Sequence, residues 1–178
     1  MTSRSARLIG TLFLLSLVSC RGRHSRTEVK NEEPVTATSA VSTLKMSDQA
    51  AATQLFKGFY ALESGSWRWT AGEFHVLLRS PQGAAQKGAT LSFAFSIPDL
   101  VIKKLNAISL SAKVGTVTLK TESYSKAGAY TFSADVPPAL LTSDSVTIDF
   151  ALDKSLPAGS VDQRELGLVA TAVGLESK

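Results

Sequence analysis

The sequence predicts an all-β domain: an antiparallel β-sandwich, jelly-roll-like, with about eight strands and two short helical crossovers. Two observations predict it. Apolar and polar residues alternate with a period of two in several separate runs, the pattern of strands with one buried face. The part of the chain that carries these runs begins at Leu55 and is about 124 residues long, the usual size of one domain. We therefore assign residues 54–178 to a single β-sandwich domain.

The alternation is clearest in four runs. In residues 91–97, apolar side chains at odd positions share one face and Ser92, Ala94 and Ser96 share the other. The runs 108–113, 130–135 and 146–153 alternate in the same way. Further strands are predicted at 56–62, 73–79, 117–119 and 165–173. The last strand is apolar in both phases, which predicts a central position in its sheet.

Two connections between strands are predicted to be helical. Ile97 and Pro98 precede the apolar residues 100–102, and Val136 and Pro137 precede the apolar residues 139–141. Each stretch is followed by another strand. Because proline suits the first position of a helix, each stretch is predicted to form a short helix that crosses the end of the sandwich.

The first 20 residues have the three zones of a secretory signal. Arg4 and Arg7 precede an apolar run at 8–18, which is too short to span a bilayer as a helix, and Ser19 and Cys20 follow it. Residues 17–20 (Leu, Val, Ser, Cys) resemble the bacterial lipobox. This resemblance implies cleavage before Cys20 and lipidation of that cysteine, so that residues 1–19 are a signal peptide. The alternative is a generic signal peptide with an accidental cysteine.

Cys20 is the only cysteine of the chain, so it has no partner for an intramolecular disulfide, and lipidation accounts for it better than a free thiol does. Two or three acyl chains would anchor the protein stably in a membrane. Residue 21 is arginine rather than aspartate, which, by resemblance to bacterial sorting rules, favours the outer membrane. The predicted location is therefore the cell envelope.

Residues 20–53 are predicted to be a lipidated, disordered tether. Beyond Leu44 and Met46 this stretch has almost no large apolar side chain, so it buries too little surface to offset its chain entropy. A marginal helix around residues 47–56 is the one exception that the pattern allows.

Charge argues against nucleic acid as a partner. The formal charge of +4 includes Arg4 and Arg7 of the predicted signal peptide, and from Leu55 onward 12 basic residues face 11 acidic ones. A nearly neutral domain without a stripe of Lys and Arg lacks the charge that binds phosphate backbones.

Three segments together resemble a family of β-sandwich modules. They are residues 58–63 (Gly, Phe, Tyr, Ala, Leu, Glu) with Trp67, Arg68 and Trp69; residues 74–78 (Phe, His, Val, Leu, Leu); and residues 162–168 (Asp, Gln, Arg, Glu, Leu, Gly, Leu). They are similar to galactose-binding-like or carbohydrate-binding-like modules of bacterial surface proteins, which are also appended to glycosyltransferases. The resemblance implies a jelly-roll sandwich and sugar binding, without fixing a ligand site.

No catalytic or metal-binding constellation is recognisable, so we predict that the protein is not an enzyme and has no cofactor. A Ser-His-Asp triad would have to use His75, which we interpret as an outward-facing strand residue. Asp149 and Asp153 alternate with apolar residues and are interpreted as solvated. One spare histidine and no spare thiol disfavour zinc. Calcium bound by Asp153, Asp162 and Glu165 is the remaining alternative.

The candidate ligand-binding residues are two aromatic residues and three charged ones, Trp67, Arg68, Trp69, Arg164 and Glu165. On a strand the two tryptophans point to one side and Arg68 to the other, so the tryptophans form either a core plug, which we favour, or a surface for stacking against sugar. Arg164 is predicted to lie at the rim, as a clamp on neighbouring carboxylates rather than a ligand for glycan hydroxyls.

These residues lead to one functional hypothesis and one rival. The first is a non-enzymatic envelope lipoprotein that is anchored in the membrane through Cys20 and binds carbohydrate or an envelope protein through its β-sandwich. The rival is a structural or assembly accessory lipoprotein that binds only protein, through an edge strand of the sandwich.

Overall fold

In the computed structural model, residues 39–178 are described and form an antiparallel β-sandwich of nine strands. The predicted fold class is confirmed. The strands are β1 (Thr43–Lys45), β2 (Leu55–Phe59), β3 (Arg68–Arg79), β4 (Ala89–Ile97), β5 (Ile108–Val114), β6 (Val117–Tyr124), β7 (Gly128–Val136), β8 (Ser145–Leu152) and β9 (Val169–Ser177).

The strands form two sheets that share one strand. In the first sheet, β4 lies between β7 and β9, and the other side of β9 pairs with β1 and with the start of β3. In the second sheet the order is β6, β5, β8, β3 and β2. Strand β3 therefore begins in the first sheet, at Arg68 and Trp69, and continues in the second from Glu73.

Aromatic rings from both sheets fill the space between them. Phe74 of β3 and Phe150 of β8 stack with ring centroids 5.0 Å apart, and Phe93 of β4 lies 5.5 Å and 4.8 Å from them. The predicted inward face of β4 is confirmed, because its four odd-numbered residues 91–97 are at most 2% exposed. The alternation in the sequence thus places one side of each sheet in a shared core.

The last strand has the predicted central position. Strand β9 pairs with β4 along most of its length and with β1 and β3 on its other side. It spans Val169–Ser177, a few residues later than predicted, because residues 165–168 form the segment that leads into the strand. Leu166 and Leu168 of this segment are buried, which accounts for apolar residues outside the strand.

Both predicted crossovers are present. Helix α1 (Ala84–Lys87) is a single turn before β4, and α2 (Asp99–Leu105) is the crossover that follows Pro98. The second crossover is a 3-10 helix at Pro138–Leu140. Within residues 39–178, no helix has both the length and the apolar character needed to cross a bilayer.

The prediction of a disordered tether up to residue 53 is wrong for its last part. Strand β1 pairs with β9, a 3-10 helix spans Gln49–Gln54, and Leu44 and Met46 are 3% and 0% exposed. The Gln54 amide fixes this segment, because it bonds both backbone groups of Val41 and the carbonyl oxygen of Leu77. Residues 1–38, with Cys20 and most of the predicted tether, lie outside the described residues.

Candidate ligand-binding site

The two tryptophans are half-buried, Trp69 at the start of β3 and Trp67 in a short bridge with Glu63 just before it. Their rings meet edge to face at 6.3 Å, and Trp69 pairs with Val169. The two rings lie on one side, and Trp69 packs against the hydrophobic core while it stays half-buried, so it is intermediate between the core and the surface positions. Arg68 is the inward residue between them, because it pairs with Ala170, which is buried in the core.

Arg68 is a buried cation, 7% exposed. Its Nη1 donates to the carbonyl oxygen of Tyr60 at 3.1 Å, while its Nε is buried with no acceptor among residues 39–178. Nor does any carboxylate of the described part of the chain lie within salt-bridge distance. Burial of a guanidinium without a counter-charge is costly, so Arg68 must be held in place by the surrounding structure.

Tyr60 follows β2 and is fixed by three separate contacts. Its backbone N–H donates to Trp69 O at 2.9 Å, its carbonyl oxygen accepts from Arg68, and its ring lies under the Arg164 guanidinium, 5.0 Å from ring centroid to Cζ. The last contact has the geometry of a cation–π interaction. The two hydrogen bonds fix the backbone of Tyr60, and the guanidinium and the adjoining core hold its ring near the start of β3.

Arg164 bridges two carboxylates, as predicted, at the rim of the sandwich. Its Nη1 donates to Glu63 Oε1 at 2.7 Å, and its Nε and Nη2 donate to the two oxygens of Asp162. Its side chain is 32% exposed. The hydrogen bond from the Arg164 side chain lowers the pKa of Asp162 to about 2. Because the pKa of Asp162 is lowered in the folded state, its ionised carboxylate stabilises the fold. This stabilisation is fully present above the ordinary pKa near 4 and is lost as pH falls through about 2.

The clamp of Glu63, Arg164 and Asp162 ties two loops together, so its removal should destabilise the domain. We expect Arg164→Ala to cost about 1–2 kcal/mol, the range of a partly exposed, charge-assisted pair. Thermal and urea unfolding measure this. Lys154→Ala is the matched control, since the one hydrogen bond of the Lys154 ammonium within residues 39–178 is to the carbonyl oxygen of Ala107. Equal unfolding midpoints for the two variants would contradict the clamp.

A cleft of about 640 Å³ opens beside Tyr60. Its lining includes the small residues Gly58, Ala71 and Gly72 and the segment 152–155. Gly58 has φ of 74°, and a Cβ there would lie 1.9 Å from the carbonyl oxygen of Glu73. The close approach of β2 to β3 beneath the cleft therefore requires glycine.

Glu165 is half-buried in this cleft and held through one oxygen. Its Oε1 accepts from the Gly72 N–H at 3.1 Å and from the Ser155 hydroxyl at 2.5 Å. The described residues provide no hydrogen-bond donor to Oε2 and no cation in a salt bridge with the carboxylate. A Cβ at Gly72 would lie 2.6 Å from Oε1, so the small residue leaves room for this arrangement. The geometry leaves one fixed carboxylate oxygen available to a ligand.

A depression of about 720 Å³ lies at the other end of β3. It is lined by Ser42, by residues 79–83, 85–86 and 141–144, and none of these is aromatic. Val41, near the start of the described residues, accepts a hydrogen bond from the Arg79 N–H at its carbonyl oxygen. Strand β3 has 12 residues, about 35 Å of extended chain, so this depression and the start of the strand lie at opposite ends of it.

The remaining candidates for chemistry do not assemble into a catalytic site. His75 lies on the outer face of the second sheet, as predicted, where its Nδ1 is 2.5 Å from Asp149 Oδ1. Within residues 39–178, no hydroxyl is bonded to its ring and no group of three acidic, His or Cys side chains is placed to hold a metal. The carboxylates of the calcium alternative have separate partners, Ser109 for Asp153, Arg164 for Asp162, and Ser155 for Glu165.

The structure brings together only part of the predicted ligand set. Glu165 lines the cleft, and Arg164 contacts Tyr60, which also lines it. Neither tryptophan nor Arg68 is part of the lining. Tyr60, Gly72 and Ser155 were not among the predicted ligand-binding residues. Tyr60 is part of the motif at residues 58–63, but nothing local marks Gly72 or Ser155, which meet Glu165 from other segments of the chain.

Neither a protein-family model nor a curated protein sequence matches the chain. Among solved structures, the CBM36-1 domain of a multidomain xylanase from the hindgut metagenome of Trinervitermes trinervoides is 10% identical, with a TM-score of 0.40, over 76% of this chain and 96% of that domain. A CBM4 structure is 14% identical, with a TM-score of 0.31, over 75% and 80% of the two chains.

An acetyl xylan esterase from the rumen bacterium Butyrivibrio proteoclasticus is 7% identical, with a TM-score of 0.43, over 79% of this chain. The chain matches only 33% of the length of that esterase. At these identities and TM-scores, none of the three similarities assigns a ligand or an activity to residues of this chain.

Proposed function

We propose that this protein is a non-enzymatic lipoprotein of the bacterial cell envelope whose β-sandwich binds carbohydrate in the cleft beside Tyr60. The observation that carries the proposal is the combination of Tyr60, fixed by three contacts, with Glu165, whose Oε2 is available in the same cleft. An aromatic ring can stack on the apolar face of a sugar, and a carboxylate oxygen accepts hydrogen bonds from its hydroxyls.

Binding of the purified full chain to a glycan panel tests the proposal. We expect at least one glycan to bind, and Tyr60→Ala to weaken its binding by about tenfold, or about 1.4 kcal/mol. Phe56→Ala is the control, because Phe56 lies on the neighbouring β2 and is 60% exposed outside the cleft lining. Failure to bind any glycan, or equal losses in both variants, would refute the cleft as a sugar site.

The rival, an accessory protein that binds only protein, is favoured by one observation. Phe56 is a large exposed apolar side chain on β2, which is an edge strand of the second sheet. An exposed edge can pair with a strand of another protein. This rival would be favoured if the chain binds a protein partner, Phe56→Ala abolishes that binding, and no glycan on the panel binds.

Anchoring through Cys20 is part of the proposal and is supported by residues 17–20 of the sequence. We expect Cys20→Ser to abolish incorporation of a labelled lipid precursor and to leave the unfolding midpoint unchanged, because the described core contains no residue before 39. Fractionation of the labelled wild type would test the outer-membrane location. A Cys20→Ser protein that still takes up label would exclude this anchor.

A further inference from the structure

We propose that the cleft selects glycans without acidic groups over otherwise matched glycans that carry one, and this inference rests on the proposed function. Five charged side chains line the cleft: two lysines and three carboxylates, which gives a net charge of −1. They are Lys57, Lys154, Glu73, Asp153 and Glu165.

Four of these charges already have partners. Lys57 and Glu73 face each other at 3.7 Å with side chains 68% and 69% exposed, so they largely compensate one another in solvent. Asp153 accepts from the Ser109 N–H at 2.6 Å, and Lys154 donates to the Ala107 carbonyl oxygen at 3.3 Å. The last two side chains are therefore turned towards the segment that leads into β5.

Glu165 is the carboxylate that leaves the cleft with a net negative charge, because the charges of the other four side chains, two lysines and two carboxylates, cancel in number. Both of its hydrogen bonds end on Oε1 and come from neutral donors, a backbone N–H and a hydroxyl. Ser155 and Gly72 thus fix the carboxylate without neutralising it. A hydroxyl or an ammonium group can donate to Oε2, whereas a carboxylate, sulfate or phosphate at the same place would be repelled.

The two nearby arginines do not reverse this charge. Arg164 is bonded to Glu63 and Asp162, so these three side chains together add −1. Arg68 is 7% exposed and faces the inside of the sandwich, away from ligand. The charge that a ligand meets in the cleft is therefore negative.

The test starts from the neutral glycan that the full chain binds best on the panel. Two derivatives of it are compared at low ionic strength, one with its primary hydroxyls oxidised to carboxylates and one with an amine in place of a hydroxyl. We expect the carboxylated form to bind about tenfold more weakly than the neutral form, and the amine to bind at least as well as the neutral form. Added salt should reduce both differences.

Glu165→Gln separates charge from shape, because glutamine keeps an oxygen that can accept from Gly72 and Ser155. We expect this variant to bind the carboxylated and neutral forms within about threefold of each other. The matched control Glu176→Gln makes the same change of charge at an exposed position of β9 that does not line the cleft, and it should retain the tenfold discrimination. The inference is overturned if the wild type binds the carboxylated glycan as tightly as the neutral one or more tightly, or if Glu165→Gln still discriminates between them. Either result leaves the proposed sugar binding intact. A panel without any bound glycan rejects the proposed function as well.

Discussion

A fragment of residues 54–178 is expected to be less stable than a fragment of residues 39–178 by about 3–6 kcal/mol. The shorter fragment lacks β1, and with it the buried side chains of Leu44 and Met46. Burial of one such side chain contributes about 1.5–3 kcal/mol. The backbone bonds from Met46 to Thr171 and from Leu175 to Ser42 are lost as well. Urea unfolding of the two fragments measures the difference.

The controls isolate the contribution of the core from that of chain length. The fragment 39–178 should match the full chain in stability, and Leu44→Ala should reproduce part of the loss, whereas Thr43→Ser, at an exposed neighbour, should not. If the fragment 54–178 is as stable as the longer one, residues 39–53 do not belong to the folded domain.

Phe74→Ala is expected to destabilise the domain by about 3–5 kcal/mol, the usual cost of removing a fully buried phenylalanine. Phe74 is 0% exposed and contacts three other rings. The rings of Phe59 and Phe150, in the same sheet, have centroids 5.2 Å and 5.0 Å from that of Phe74. The ring of Phe93, in the facing sheet, lies 5.5 Å away. The substitution therefore opens a cavity where the two sheets meet.

Chemical unfolding with Phe56→Ala as the control tests this prediction. Phe56 is 60% exposed, so its removal should change the stability by less than about 0.5 kcal/mol. Because a domain of this kind is stable by about 5–15 kcal/mol, Phe74→Ala should remove a substantial share of its free energy of unfolding. A loss below about 1 kcal/mol would mean that the aromatic core can close around the missing ring.

The sandwich could be predicted because its strands are encoded locally. A period of two in residues 91–97 is sufficient to assign the buried face of β4, whatever strand lies beside it. The rim position of Arg164 follows from the cost of burying an unpaired arginine, whichever carboxylates it meets. Its partner Asp162 is two residues away, whereas Glu63 is 101 residues away and meets it only in the fold.

The features that were not predicted depend on distant segments. Strand β1 has one inward residue, Leu44, and only its pairing with β9 makes it a strand. The inward position of Arg68 follows from its pairing with Ala170. The cleft requires Gly72, Ser155 and Glu165 to meet, and the separation of 93 residues between Gly72 and Glu165 leaves no periodic signal.

The way β1 joins the sandwich determines how the domain would respond to mechanical tension. Its pairing with β9 is antiparallel, so β1 runs from Ser42, near the end of β9, towards the half of the sandwich that contains the cleft. A pull on residue 39, opposed by a ligand in the cleft, is directed along these strands. Because the bonds between strands are perpendicular to the strand axis, the pull loads them together in shear rather than peeling them apart one by one.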